Sequence, residues 1–169
     1  MSGRRLAAAA LVAAGVLAGC GYTFQGTLPP HIRTVAVPMF VNRTPQPAVE
    51  SVITRAVVDA FATNGRLRVV RPEEADAILE GEVVSYAVSP IAVNPSLLVQ
   101  QYRLGVTLNL RMRDVRRNEV LFQIANYSEQ ADFRVAGSVA QTLSVEAGAL
   151  RQAATQIGWA VVSLALDRF

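Results

Sequence analysis

Residues 102–113 read Tyr-Arg-Leu-Gly-Val-Thr-Leu-Asn-Leu-Arg-Met-Arg, in which every second side chain is apolar. Because successive side chains of a strand point to opposite faces, this alternation predicts a long strand with one buried and one open face. Such a strand is typical of an antiparallel sheet that is covered on one side only. The side chains predicted to be buried are Tyr102, Leu104, Val106, Leu108, Leu110 and Met112.

The segments after this strand predict a hairpin and a long helix. Residues 114–119 form a turn, and Val120, Phe122 and Ile124 continue the alternation in a returning strand. From about residue 139 to 166, apolar residues recur three and four positions apart, which is the helical period. These residues are Leu143, Ala147, Leu150, Ala154, Ile157, Val161 and Leu164.

The segments before the strand predict a β-α-β-β opening. Residues 32–40, 66–70 and 75–88 each favour a strand by alternation or by their content of β-branched residues. A helix lies between the first two and ends at Asn64-Gly65, a pair that suits a left-handed cap. Its apolar stripe consists of Val49, Val52, Ile53, Ala56, Val57, Ala60 and Phe61.

Together these elements predict one domain over residues 32–169. Each helix has one apolar stripe, so both can cover the same face of a sheet. The expected fold class is α+β, a two-layer sandwich whose mixed, mostly antiparallel sheet of four to five strands is covered on one face by two helices. Residues 90–100 are expected to form a loop. Its Leu97, Leu98 and Val99 make an apolar tip or an early strand, which suits contact with a partner.

The N-terminal apolar run ends in Leu17-Ala18-Gly19-Cys20 and follows the basic pair Arg4-Arg5. This order is typical of a bacterial lipoprotein signal peptide. We therefore expect cleavage of residues 1–19 and covalent lipid on Cys20, as S-diacylglycerol and an N-acyl chain. The alternative is an ordinary secretory signal or a transmembrane anchor, but the run is shorter than the ~20 apolar residues that a spanning helix needs.

Cleavage would leave a lipidated tether over residues 20–31 and a nearly neutral chain. The formal charge falls from +3 to +1 once Arg4 and Arg5 are removed, so the basic sequence pI says little about partners. The only cysteine would carry lipid, which leaves none for an internal disulfide. Gly21 is not the aspartate that commonly retains lipoproteins in the inner membrane. This favours the cell outer membrane, with the domain facing the periplasm.

Groups that support catalysis or hold metals are scarce in this sequence. His31 is the only histidine, and its position in the expected tether predicts a solvated side chain. The acid pairs Glu73-Glu74 and Glu80/Glu82 could act in acid–base catalysis, but their turn and strand positions predict surface carboxylates. No phosphate-binding glycine loop, metal-ligand spacing or nucleic-acid motif occurs. We therefore expect no enzyme, no metal and no cofactor other than the lipid on Cys20.

Arginines cluster on the predicted hairpin. Arg103, Arg111 and Arg113 share the open face of the strand by its two-residue period, and Arg116 and Arg117 extend the cluster at the turn. Guanidinium groups bind phosphates with paired, charge-assisted hydrogen bonds and keep their charge. The cluster therefore predicts an anionic headgroup as its ligand, with an ordinary solvated strand face as the alternative.

Several segments resemble the LptE family of lipopolysaccharide-assembly lipoproteins, and the resemblance extends over essentially the whole mature chain. The segments are Cys20-Gly21-Tyr22-Thr23-Phe24 with Gly26, Thr34-Val35-Ala36-Val37-Pro38, the helix over 49–61, the strand from Tyr102 and the closing helix around Glu146. The resemblance implies an outer-membrane lipoprotein that supports assembly of the LptD β-barrel, plugs its lumen and binds lipopolysaccharide in transit to the cell surface. The phosphates of lipid A would then be the ligand of the arginine cluster.

One loop departs from the family, and one alternative stays open. Some members carry a basic residue implicated in lipopolysaccharide contact where this chain has the uncharged Pro90 to Pro95. The opening strand and helix, with residues 75–81, also resemble envelope lipoproteins of the peptidoglycan-synthase activator or curli-secretion type. Those are protein-interaction subunits. The long hairpin followed directly by a single helix favours the LptE family.

Overall fold

The computed structural model describes residues 28–96, 98–135 and 137–167, so the expected signal peptide, Cys20 and Leu97 lie outside the described residues. The strands are β1 (Thr34–Ala36), β2 (Val41–Asn42), β3 (Arg68–Val69), β4 (Ala77–Val93), β5 (Val99–Asp114) and β6 (Val120–Arg134). The helices are α1 (Val49–Asn64) and α2 (Val139–Asp167), with a short 3-10 turn over Pro72–Glu74.

The strands form one mixed sheet in the order β3-β1-β4-β5-β6, and β2 pairs with β4 next to β1. The short strand β1 lies between β3 and β4 and is parallel to both. The long strands β4, β5 and β6 form two consecutive antiparallel hairpins. The predicted α+β class is therefore confirmed, with six strands in place of four to five.

The extra strand arises because residues 32–40 do not form one continuous strand. Only Thr34–Ala36 pairs there, and the chain pairs with β4 again at Val41, opposite Glu82. Pro38 lies between the two strands and has no N–H with which to continue the ladder. The single predicted strand is thus wrong beyond residue 36.

The loop predicted over residues 90–100 is mostly strand. β4 runs to Val93 and β5 starts at Val99, with Pro90 paired to Tyr102 in the register. No described strand pairs with the outer side of β4 beyond Val83, so a proline there interrupts no second ladder. Only residues 94–98 connect the two strands.

Both helices pack on the same face of the sheet and enclose the core. Every second residue of β5, from Leu104 to Met112, is buried there as predicted. The helices approach closely at Gly158, where an added Cβ would lie 2.7 Å from the Ala56 carbonyl oxygen. Tyr86 of β4 donates a hydrogen bond of 2.7 Å to Glu146 of α2, which fastens this helix to the sheet.

The two ends of β5 define two ends of the domain. At its carboxyl end, Asp114 contacts His31, close to where the chain enters the domain. We call this the anchor end. A hollow at this end is lined by Leu28, Leu67 and Leu166. At the other end of β5 lies the 94–98 connection. At about 3.3 Å per residue, β5 separates the two ends by about 50 Å.

Candidate functional site

A buried carboxylate organises the anchor end. The Asp114 side chain is 1% exposed, and its Oδ2 lies 2.6 Å from His31 Nε2. Its Oδ1 accepts hydrogen bonds from the backbone N–H groups of Arg116 and Arg117, at 2.8 and 3.1 Å. His31 is therefore not the solvated tether residue that the sequence predicts, because it is bonded to the β5–β6 turn.

A second carboxylate, Asp76, joins the start of β1 to the same turn. Its Oδ2 accepts the backbone N–H groups of Arg33 and Thr34 and the Thr34 hydroxyl. Its Oδ1 lies 3.1 Å from Arg116 Nη2. We call His31, Thr34, Asp76, Asp114 and Arg116 the anchor-end cluster. The sequence analysis missed it, because its members meet only once β1, β4 and β5 lie side by side.

The donors around both carboxylates favour the ionised form. Burial raises the pKa of Asp114, but hydrogen bonds from the Arg117 backbone, the His31 ring and the Arg116 backbone outweigh it, and the pKa lies below its ordinary value. Burial likewise raises the pKa of Asp76, and the Arg33 and Thr34 donors with the Arg116 charge bring it below the ordinary value. The ionised carboxylates of Asp76 and Asp114 therefore hold the anchor-end cluster together through the donors that contact them.

The sheet face away from the helices, here called the open face, carries Arg103, Arg111 and Arg113 as predicted. Carboxylates pair with two of them. Arg103 donates from Nε and Nη2 to the two oxygens of Asp132, at 2.7 and 2.8 Å, and Arg113 Nε lies 3.5 Å from Glu80 Oε1. Together with the Arg116–Asp76 pair, three of the five predicted phosphate-binding arginines have carboxylate partners in this chain.

The other two predicted arginines, Arg111 and Arg117, make no ion pair with any residue in the described ranges. Arg111 lines a hollow of about 570 Å³ on the open face, together with the exposed side chains of Met39 and Val41. Arg117 is exposed on the β5–β6 turn. Glu80 and Glu82 line the same hollow as Arg111 without forming an ion pair with it. Among the predicted arginines, these two are therefore the ones without a carboxylate partner in the described ranges.

Exposed aliphatic side chains cluster at the end of the domain opposite the anchor end. Leu98 of the predicted contact loop is 63% exposed, and Val99 is half-buried at the start of β5. A hollow of about 650 Å³ brings both together with Val139 and Leu143 of α2, which are 78% and 60% exposed. We call Leu98, Val99, Val139 and Leu143 the distal patch. Leu143 and Ala147 lie on the predicted apolar stripe of the long helix, but both are exposed, because α2 extends past the core here.

The described residues also bear on metal sites, membrane-crossing helices and the acid pairs. In the described ranges, no three side chains of His, Cys, Asp or Glu lie close enough together to hold a metal ion. Neither α1 nor α2 has the combination of length and apolarity that a membrane-crossing helix needs. The acids Glu73, Glu74 and Glu80 are exposed on the surface, as the sequence predicts.

Solved structures share this two-layer α+β architecture at low sequence identity. A Caulobacter crescentus protein described as a lipoprotein is 12% identical with a TM-score of 0.56, over 76% of this chain and 87% of that chain. A Xanthomonas campestris protein is 15% identical with a TM-score of 0.52, over 81% and 91%. A minor lipoprotein from Acinetobacter baumannii is 12% identical with a TM-score of 0.50, over 80% and 92%. The fold is thus one that bacterial lipoproteins use.

Within this class the chain belongs to the LptE family of lipopolysaccharide-assembly proteins, whose family model matches residues 32–163. It is therefore a lipoprotein of the lipopolysaccharide-assembly type, and the predicted family is confirmed. The match spans the opening β-α-β unit, both hairpins and most of α2, so it decides against the peptidoglycan-synthase activator and curli-secretion alternatives. No curated protein matches the sequence.

Proposed function

We propose that this chain is an outer-membrane lipoprotein, lipidated at Cys20, that supports assembly of an LptD-type β-barrel and plugs its lumen. It has no catalytic activity and binds lipopolysaccharide during transport to the cell surface. The observation that carries the proposal is the family match over residues 32–163.

The distal patch is the surface that suits the barrel. Leu98, Val139 and Leu143 are too exposed to contribute to the core, and exposed apolar patches mark contact sites. It lies about 50 Å from the anchor end, measured along β5. A chain held to the membrane at one end therefore presents this patch at the far end, inside the partner.

The test is photo-crosslinking of the native lipoprotein in cells, followed by purification from detergent-solubilised outer membrane. A crosslinker at Leu98 should capture a large β-barrel, since a stable interface buries at least ~1,200 Å². The matched control is a crosslinker at Arg71, an exposed position outside the distal patch. Absence of a barrel from the Leu98 sample, in cells where the protein functions, contradicts the proposal. Equal capture at Arg71 contradicts the assignment to the distal patch.

The predicted lipid A contact is assigned to the two arginines that lack carboxylate partners. Arg103, Arg113 and Arg116 hold Asp132, Glu80 and Asp76, so a phosphate would have to compete with these carboxylates. Arg111 and Arg117 form no ion pair with a described residue, although Glu80 and Glu82 line the same hollow as Arg111. We therefore propose them as the first phosphate contacts, with the paired arginines adding to the local positive potential.

A further inference from the structure

The outer surface of the two helices carries a groove that the proposed function does not use. It measures about 590 Å³ and runs between α1 and α2, above the close contact at Gly158. Alanines line part of it, and its larger members are Arg55 and Asp59 of α1 and Arg151 and Trp159 of α2. We call these four residues and the groove between them the helix-pair face.

The chemistry of this face is cationic and amphipathic. Arg55 and Arg151 are exposed on different helices, and neither makes an ion pair with any residue that the structure describes. Asp59 is the one acidic side chain in the groove lining, so the lining has a net positive charge. Trp159 leaves 48% of its surface exposed, which is unusual for so large an aromatic residue. Indole rings beside arginines are typical of surfaces that meet lipid headgroups.

The helix-pair face lies within reach of the expected lipid anchor. Leu166, near the end of α2, lines the same hollow as Leu28, where the described chain begins. Trp159 lies about 10 Å back along the helix axis and Arg151 about 22 Å, at 1.5 Å per residue. The residues from Cys20 to Leu28 span at most about 28 Å when extended. A lipid on Cys20 therefore keeps this face near the bilayer surface.

We propose that the helix-pair face rests on an anionic lipid surface while the chain is anchored and not yet inside a partner. The inference rests on the lipid anchor of the proposed function. A second copy of the chain is a poorer occupant, because each copy offers one carboxylate, Asp59, for two unpaired arginines. An anionic bilayer supplies the phosphates that both arginines lack, and it already lies within the length of the tether.

The test uses the lipidated protein reconstituted into phosphatidylcholine vesicles with and without phosphatidylglycerol. Trp159 is the only tryptophan in the chain, so its fluorescence reports on this face alone. With phosphatidylglycerol, its emission should shift to shorter wavelength and be quenched by lipids brominated near the headgroup. High salt should reverse both effects, because the attraction is screened.

Charge variants test the assignment with matched controls. Each arginine near an anionic membrane biases docking about fivefold, so Arg55→Glu with Arg151→Glu should lower quenching to the phosphatidylcholine level. Asp59→Asn should increase it. The control Arg71→Glu with Arg134→Glu makes the same change in net charge at exposed positions outside the helix-pair face, and it should leave quenching unchanged.

Two results would overturn the inference. One is the absence of Trp159 quenching in anionic vesicles from protein whose mass shows the intact lipid. The other is shielding of Trp159 only after a barrel partner is added, which would make this face a protein interface. If the measured mass shows that the protein carries no lipid, the proposed anchor is refuted. This outcome distinguishes failure of the proposed function from failure of the present inference.

Discussion

Asp114 is a buried carboxylate whose hydrogen-bond donors all favour its charge. Its pKa and that of Asp76 lie below the ordinary value of 3.8. A carboxyl whose folded-state pKa is depressed adds stability that is complete above its unfolded pKa and is lost as the pH falls through the folded one. The anchor-end cluster is therefore expected to weaken below about pH 4.

The first prediction is that Asp114→Asn lowers the free energy of unfolding at pH 7 by about 1.5–3 kcal/mol, the usual worth of hydrogen bonds to a charged group. The variant should also lose less stability than the parent between pH 5 and strong acid, since the titrating group is gone. Denaturant unfolding across this pH range measures both. Asp59→Asn, which removes an exposed carboxylate, is the control and should change neither. An unchanged acid slope in Asp114→Asn contradicts the role given to this group.

The second prediction concerns Arg111 and Arg117. Arg111→Glu with Arg117→Glu should weaken binding of purified lipopolysaccharide roughly three- to thirtyfold at low ionic strength, because exposed charge contacts are individually weak. The difference should shrink in high salt. Arg66→Glu with Arg68→Glu makes the same charge change at the start of β3 and serves as the control. Equal binding by the folded double variant and the parent would remove the phosphate role from these two arginines.

At the scale of elements, the close contact between α1 and α2 depends on Gly158, which has no side chain. A Cβ at Gly158 would lie 2.7 Å from the Ala56 carbonyl oxygen and 3.1 Å from the Ala60 Cβ. Gly148, ten residues earlier in α2, has no heavy atom within 4 Å of the same position. Alanine at Gly158 therefore tests the packing of the two helices, whereas alanine at Gly148 tests helix propensity alone.

The third prediction follows from this difference. Gly158→Ala should destabilise the domain by about 1–3 kcal/mol, because the helices must move apart. Gly148→Ala should stabilise it by about 0.5–1 kcal/mol, the gain in helix propensity. Thermal and denaturant unfolding of the two variants test the pair. Stabilisation by both substitutions would mean that the helices do not meet closely at Gly158.

The elements that could be predicted from sequence are those with a long periodic pattern. The strand over 102–113 and the helices over 49–61 and 139–166 lie within the observed β5, α1 and α2. The predictions are wrong where pairing with neighbouring strands decides the structure. Pro90 is predicted to lie in a loop, but it lies in β4, because the outer side of β4 meets no described strand there. The ion pairs of the arginine cluster were equally hidden, since Asp132 is opposite Arg103 only through the register of β6.

At the scale of the whole molecule, the proposed attachment to the membrane depends on one residue, Cys20. Neither helix in the described part of the chain can cross a bilayer. Two or more acyl chains give stable anchoring without a spanning helix. Lipid on Cys20 would therefore be sufficient for the proposed attachment.

The fourth prediction is that Cys20→Ser yields an unprocessed or soluble periplasmic form, because the substitution removes the thiol that would carry lipid. Mass spectrometry and membrane fractionation of the variant and the parent measure this. An unchanged mass together with outer-membrane fractionation of the variant would refute the anchor. The barrel capture by Leu98 is then expected to fall as well, since the domain is no longer held beside its partner.

The position of β1 inside the sheet has a consequence for the order in which the chain folds. The two hairpins of β4, β5 and β6 close through short connections. By contrast, β1 pairs in parallel with β3 and β4, which lie 34 and 42 residues further along the chain. Pairings between distant segments cost more loop-closure entropy and form more slowly. β1, the first strand of the described chain, is therefore expected to be inserted into the sheet last. Until then β1 is an unpaired strand that chaperones can bind and proteases can cleave.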